Sequence, residues 1–196
     1  MLPSQVPQPS TIHPFTRNKR FVVVTERKVS LVAAMSEPFW IRLATPADAG
    51  AMAWHRARMF QDMGEVPQNL FDEFRAKWRD CLGELLTRGE YIGWLASPEG
   101  AVNMIVGGAG VHLQRILPHP LNRCALGEGR HGVIVNVFTE PEWRKRGIAA
   151  FLLERVIDWA RKERLDRLFL HASDEGRALY ERLGFVATNE MRFAGE

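Results

Sequence analysis

Residues 132–162 constrain the fold most, because they join a buried strand, a basic turn and an amphipathic helix. Residues 132–138 are apolar and β-branched and are followed by Thr139-Glu-Pro141, which predicts a buried strand that ends in a turn. Beyond the turn, apolar residues recur with helical spacing, at Ala149, Leu152, Leu153, Val156 and Ala160. The first backbone N–H groups of such a helix are unpaired and point into the turn, where an anion binds favourably.

The turn itself, Pro141-Glu-Trp-Arg-Lys-Arg-Gly-Ile-Ala149, is basic. Arg144, Lys145 and Arg146 supply positive charge, and Gly147 lets the backbone approach a ligand without a Cβ in the way. Charge alone fits an ordinary basic loop equally well. The turn lacks the Lys-Ser/Thr ending of a Walker loop and the three spaced glycines of a dinucleotide fingerprint. A phosphate-bearing cofactor of another kind is therefore expected.

Two signatures carry a resemblance to a known family. Arg144-Lys-Arg-Gly-Ile-Ala149 resembles the Gln/Arg-x-x-Gly-x-Gly/Ala motif of the GCN5-related N-acetyltransferase (GNAT) superfamily, which cradles the pyrophosphate of acetyl-CoA. Ala178-Leu-Tyr-Glu-Arg-Leu-Gly-Phe185 resembles the C-terminal helix of that family and the Gly-Phe pair that enters its last strand. The resemblance in element order extends over roughly residues 37–193. It implies an α+β fold with a mixed, largely antiparallel central sheet flanked by helices.

Length and element order predict one N-acetyltransferase domain at residues 37–196, preceded by an extension at residues 1–36 that we expect to be disordered or loosely docked.

The net charge of +3 is concentrated in residues 1–35, which carry +4, so the remainder is close to neutral and we expect no nucleic-acid partner. No apolar run is long enough to span a bilayer, so we expect no membrane insertion. Cys81 and Cys124 show neither a metal spacing nor a disulfide framework, which predicts a cytoplasmic protein without a metal.

Periodicity and turn residues predict the other elements: strands at 39–43, 90–96, 102–114, 166–172 and 185–193, and helices at 47–62, 69–88 and 174–183. Thr45 is a candidate N-cap of the first helix, and the second is expected to end near Gly89. Gly107, Gly108 and Gly110 indicate a bulge or a close backbone approach, since no helix follows them. Residues 116–132, rich in proline and glycine, are expected to form a mobile loop.

The resemblance also implies how acetyl-CoA is held. In the family the fourth and fifth strands splay apart around the pantetheine arm. If residues 135–138 belong to that fourth strand, the backbone of Asn136, Val137 and Phe138 would bind the arm and donate to the thioester oxygen. The side chain of Asn136 is either a buried, bonded amide or a cleft residue, and we favour the cleft. The full set of expected cofactor-binding residues is Asn136, Val137, Phe138, Arg144, Lys145, Arg146, Gly147, Ile148, Ala149 and Ser173.

Tyr180 matches the tyrosine to which the family assigns the role of general acid toward the CoA sulfur. With an ordinary pKa near ~10, its hydroxyl is protonated at neutral pH. Many relatives carry an asparagine where this chain has Ser173, so we assign Ser173 first to capping the following helix and second to cofactor contact. The general base stays open, because members of the family use different carboxylates, a histidine or a water relay. His112 and His171 are candidates, since an ordinary histidine pKa suits proton removal near neutrality. Glu140 and Glu142 lie beside the turn and could merely start the helix, where acidic residues are favourable.

The prediction of function is transfer of an acetyl group from acetyl-CoA to a primary amine of unknown identity, by direct transfer. The alternative is a non-catalytic acyl-CoA-binding sensor or scaffold with the same fold. Transfer of a longer acyl group, or to an acceptor other than an amine, is a third option. The acceptor, a small molecule or a peptide, would be chosen by residues 47–88 and 116–132. A homodimer is compatible with the sequence.

Overall fold

The computed structural model describes residues 39–122, 125–188 and 190–191, so the extension at 1–36 lies outside the described residues. The elements are, in chain order, β1 (Phe39–Leu43), α1 (Ala49–Asp62), α2 (Phe71–Arg88), β2 (Tyr91–Pro98), β3 (Gly107–Arg115), β4 (His119–Asn122), β5 (Ala125–Gly127), β6 (Arg130–Thr139), α3 (Ile148–Lys162), β7 (Arg167–Leu170) and α4 (Asp174–Arg182). The predicted α+β class is confirmed.

The central sheet has five strands in the order β1-β2-β3-β6-β7. The first four are antiparallel to their neighbours, and β7 runs parallel to β6. A mixed, largely antiparallel sheet was predicted and is confirmed.

A separate hairpin of β4 and β5 lies before β6. The prediction that residues 116–132 form a mobile loop is therefore wrong: they contain this hairpin and the start of β6. The prolines of this segment favoured the prediction of a loop. Pro120 lies in β4, opposite Leu126, and a strand of a two-stranded hairpin always has a free edge where a missing N–H is tolerated.

Helices α1 and α2 both begin later than predicted, because a short 3-10 turn precedes each of them. Pro46–Asp48 precedes α1, and Gln68–Leu70 precedes α2. Thr45 donates its backbone N–H and its hydroxyl to the Asp48 carboxylate, at 2.8 and 2.9 Å. Helix α2 ends near Gly89, as predicted, and this glycine has the left-handed φ of 67° that is common after a helix.

Helices cover the two faces of the sheet. Alternate residues of β2 point to opposite sides: Trp94 joins the apolar cluster around α3, whereas Leu95 joins the cluster around α1 and α2. In the first cluster Leu152, Leu153 and Val156 of α3 are fully buried. None of the helices in the described part of the chain has the length and apolar character needed to cross a membrane.

Three predicted strands are shorter or missing, and one of them is the strand expected at 166–172, which spans only Arg167–Leu170. The strand expected at 102–114 begins only at Gly107, because residues 101–104 make the turn after β2. The last strand, expected at 185–193, is wrong over its described part, where residues 185–188, 190 and 191 form no strand. The rest of that prediction lies outside the described residues. Gly184, with φ of 92°, follows α4 in the expected C′ position.

Candidate active site

A gap opens between β6 and β7. The two strands pair only from His131 opposite Arg167 to Ile134 opposite Leu170. Strand β6 then continues to Thr139, while β7 has ended. Along residues 135–138, the backbone groups on the β7 side of β6 therefore have no strand partner. This is the separation that the resemblance implies for the fourth and fifth strands of the family.

A bulge bends β6 at the start of the gap. The register between β3 and β6 shifts between Gly108 and Gly110, and Asn136 has φ of 59°. Asparagine tolerates this left-handed conformation better than most residues, and a bulge turns a strand and changes the direction of its side chains. The bulge predicted from the glycines of β3 is confirmed.

The side chain of Asn136 lies in the interior. It is 3% exposed, donates from Nδ2 to the Tyr91 hydroxyl at 2.8 Å and accepts a hydrogen bond from Arg56 at Oδ1. The expectation that this side chain faces the cleft is therefore wrong. A buried amide has to satisfy both its donor and its acceptor groups, and Tyr91 and Arg56 do so.

Arg56 connects this network to α1 and α2. Its guanidinium lies 3.8 Å from the centroid of the Trp78 ring and 4.7 Å from that of Phe60, and burial lowers its pKa. Sequence reasoning missed Arg56 and Tyr91, because no local pattern shows that residues so far apart in sequence meet in the fold.

The basic turn ends at the first turn of α3. Lys145 and Gly147 have φ of 63° and 83°, and both are exposed. The first backbone bond of the helix runs from the Phe151 N–H to the Gly147 carbonyl at 3.0 Å. The N–H groups of residues 148–150 therefore have no acceptor within the helix. A Cβ on Gly147 would meet nothing within 4 Å, so open space lies beside these donors.

Two arginines of the turn have polar partners, and one of them reaches outside the turn. Arg144 donates to the Asp62 carboxylate of α1 at 2.6 Å and to the Thr139 carbonyl at 3.1 Å. Arg146 donates to the Glu142 carbonyl at 3.3 Å, and its guanidinium lies 4.7 Å from the Trp143 ring centroid. The guanidinium groups of Arg144 and Arg146 are thus oriented before any ligand arrives, and Arg144 also ties the turn to α1.

Ser173 caps helix α4, and Tyr180 lies within it. The Ser173 hydroxyl accepts the Gly176 N–H at 3.3 Å, so its predicted capping role is confirmed. Tyr180 packs at the edge of the α3 cluster, 6.1 Å from the Phe185 ring, and burial raises its pKa. Its hydroxyl accordingly stays protonated at neutral pH, and no described residue hydrogen-bonds to it.

The four candidates for the general base lie in different places. Glu140, at the end of β6, accepts a hydrogen bond from Trp54 Nε1 at 3.1 Å and lies 3.7 Å from His55 Nε2. Glu142 is exposed in the turn, and His171 is exposed after β7. His112 pairs with Tyr91 and Val133 in the middle of the sheet.

His55 of α1 is a third residue that sequence reasoning missed. It is 3% exposed, its ring lies 5.1 Å from that of Phe138, and burial lowers its pKa to about 4. A Cβ on Gly108 would lie 3.0 Å from His55 Nδ1, so the absence of a side chain at Gly108 leaves room for the imidazole. The neutral ring thus packs directly behind β6, at the level of the gap.

Comparison with known proteins agrees with this geometry. The model of the acetyltransferase (GNAT) family matches residues 51–185, which is more than half of the chain. The chain belongs to the GNAT family of acetyltransferases. No curated protein sequence matches it significantly.

Solved structures share the fold. A GCN5-related N-acetyltransferase from Ralstonia eutropha JMP134 is 28% identical, with a TM-score of 0.68 over 81% of this chain and 100% of that one. A predicted acetyltransferase from Clostridium acetobutylicum, solved with acetyl-CoA, is 26% identical, with a TM-score of 0.67 over 81% of this chain and 96% of that one. Glucosamine-6-phosphate N-acetyltransferase from Arabidopsis thaliana, at 17% identity and a TM-score of 0.57 over 82% of this chain and 99% of that one, shows the fold alone.

Proposed function

We propose that this protein transfers an acetyl group from acetyl-CoA directly to a primary amine. The observation that carries the proposal is the gap between β6 and β7, from which β6 leads into the basic turn and the N-terminus of α3. A ligand with a pyrophosphate at one end and an extended amide-containing arm fits such a path. The similar protein from Clostridium acetobutylicum, solved with acetyl-CoA, supports the same ligand.

Binding of acetyl-CoA divides into two parts. The free N–H groups at the start of α3, beginning with Ile148 and Ala149, bind the pyrophosphate, with positive charge from Arg144, Lys145 and Arg146. The backbone of Asn136, Val137 and Phe138 bonds the amides of the pantetheine arm, as an added strand would. Ser173 has a capping bond already, and any contact with the cofactor is its second role.

The chemistry requires an attack, a polarised carbonyl and a proton for the leaving group. The neutral amine attacks the thioester carbon, and a backbone N–H of β6 stabilises the negative charge that develops on the carbonyl oxygen. The C–S bond then breaks, and Tyr180 donates its proton to the departing sulfur. The amine nitrogen gives up its proton to a base, for which His112, His171, Glu140 and Glu142 are the residues to substitute.

The acceptor is a small molecule or a peptide that carries a primary amine. Helices α1 and α2, which flank the sheet behind β6, supply the acceptor side in this proposal. The expected setting is the cytoplasm, in keeping with the lack of a disulfide framework in the sequence.

Calorimetry with acetyl-CoA, together with a thiol-release assay over a panel of amines, tests the proposal. We expect binding of one acetyl-CoA per chain and release of CoA thiol with at least one amine. Binding without release over a broad panel would favour the non-catalytic sensor. Absence of any acetyl-CoA binding would overturn both functions.

A further inference from the structure

Three potential metal ligands meet away from the candidate active site. His119 lies on β4, His131 near the start of β6, and Asp166 immediately before β7. One ligand atom of each residue lies within 4.8 Å of the others. The sequence predicts no metal because these residues are far apart along the chain, and only the fold brings them together.

The two histidines present buried nitrogens without hydrogen-bond partners. His131 is 5% exposed, and its Nε2 has no partner in the described part of the chain. The same holds for both ring nitrogens of His119. The rings stand perpendicular, with centroids 5.0 Å apart. Buried polar atoms almost always have a partner in folded proteins, so three such atoms in adjacent rings indicate a ligand between them.

The carboxylate of Asp166 is held in a fixed orientation. Its Oδ2 accepts the backbone N–H groups of Gly129 and Arg130, at 2.7 and 3.0 Å. A Cβ on Gly127 would lie 2.8 Å from the same oxygen, so a glycine there gives the carboxylate its space. Hydrogen bonds of this kind orient the ligands of metal sites and leave the second oxygen to bind the ion.

We propose that His119, His131 and Asp166 form a zinc site that fastens the β4–β5 hairpin to the central sheet. Two imidazoles and one carboxylate are a donor set that Zn²⁺ accepts, with a water molecule as the fourth ligand. Ligand atoms around a tetrahedral zinc ion lie about 3.3 Å apart, given metal–ligand distances of about 2.0–2.1 Å. The three groups therefore close inward by roughly 1 Å, and the partly exposed His119 on its short hairpin can supply most of that movement.

Titration of the full-length, chelator-treated protein with ZnCl₂ tests the site. We expect uptake of one Zn²⁺ per chain by calorimetry, a rise in the melting temperature with zinc, and a visible d–d spectrum with Co²⁺ typical of four-coordination. His119→Gln removes a ligand and should weaken zinc binding by more than the ~10–100-fold that loss of an outer-shell partner costs. His131→Gln should do the same. His171→Gln, an exposed histidine outside the group, is the matched control and should bind zinc normally.

A folding defect in the variant can be distinguished from the loss of a zinc ligand. His119 makes no hydrogen bond in the described chain, so His119→Gln should melt at the wild-type temperature in EDTA and lose only the stabilisation by zinc. Absence of stoichiometric uptake by the wild type would overturn the proposal. So would uptake that His119→Gln leaves unchanged. Acetyl-CoA binding, measured in parallel, keeps this outcome separate from that of the proposed function.

Discussion

The side-chain amide of Asn136 donates a hydrogen bond of 2.8 Å to the hydroxyl of Tyr91, across β3. The two residues belong to β6 and β2, which are not neighbours in the sheet. Gly110 of β3 lies between them and has no side chain to block the contact. The bond therefore holds β6 in place where it bends toward the gap.

Tyr91→Phe should destabilise the fold without changing its shape. The substitution leaves the buried Asn136 Nδ2 without this partner, which costs about 1–3 kcal/mol of unfolding free energy. Urea denaturation measures the loss. Tyr180→Phe is the matched control, because no described residue hydrogen-bonds to the Tyr180 hydroxyl. Equal losses in the two variants would contradict the argument.

Tyr180→Phe should instead affect turnover. If Tyr180 protonates the leaving thiolate, kcat falls by about 10²–10⁴-fold, the usual contribution of a general acid. The affinity for acetyl-CoA should stay unchanged, because the aromatic ring and its packing against Phe185 remain. Steady-state kinetics with an active amine, together with calorimetry, check both parts. Unchanged turnover would remove this role from Tyr180.

Gly147→Glu should abolish acetyl-CoA binding and leave the fold largely intact. The new carboxylate would enter the open space beside the first N–H groups of α3 and repel a pyrophosphate there. Gly100→Glu is the matched control, because Gly100 has φ of 78°, close to the 83° of Gly147, and also has open space around it. Both variants carry similar backbone strain, and calorimetry should show lost affinity only for Gly147→Glu. Retained affinity would show that the cofactor binds elsewhere.

His55 should make the protein less stable as the pH falls from 7 to 5. Its pKa of about 4 in the folded state lies below the ~6.5 of an unfolded chain, so the unfolded state binds more protons in this interval. The loss of unfolding free energy at pH 5 is on the order of 2 kcal/mol. This is an upper figure, since the Glu140 carboxylate 3.7 Å away favours the charged ring.

Urea denaturation of His55→Gln at several pH values tests this assignment. The variant should show a flatter dependence between pH 7 and pH 5, whereas His171→Gln, which alters an exposed ring, should keep the wild-type slope. His131, whose pKa burial also lowers, contributes in the same direction and leaves a residual slope. An unchanged slope in His55→Gln would contradict the prediction.

The sequence predicted most of the elements and the turn at Arg144–Gly147, because strand alternation, helical spacing and turn glycines are local patterns. It could not predict the partners of that turn. Arg144 binds Asp62, and Glu140 binds Trp54, through contacts that exist only once α1 packs on the sheet. The side chain of Asn136 was misplaced for the same reason, since nothing beside it in sequence shows that Tyr91 and Arg56 satisfy it.

The hairpin of β4 and β5 was missed for a different reason. Pro118, Pro120, Gly127 and Gly129 are turn residues, and their density hid two strands of only four and three residues. Gly127 and Gly129 have particular roles in the fold, since a Cβ on either would collide with Asp166 or with the backbone of Ile116. Composition shows that glycine is present, whereas only the fold shows what lies against it.

The close approach of Tyr91 to Gly110 has a consequence for sequence variation. A Cβ at position 110 would overlap the tyrosine hydroxyl, so the two positions cannot drift independently. A homologue that gains a side chain at the position of Gly110 must lose bulk at that of Tyr91, and its residue at the position of Asn136 must then find another partner or become apolar. We therefore expect these three positions to coevolve in homologous proteins.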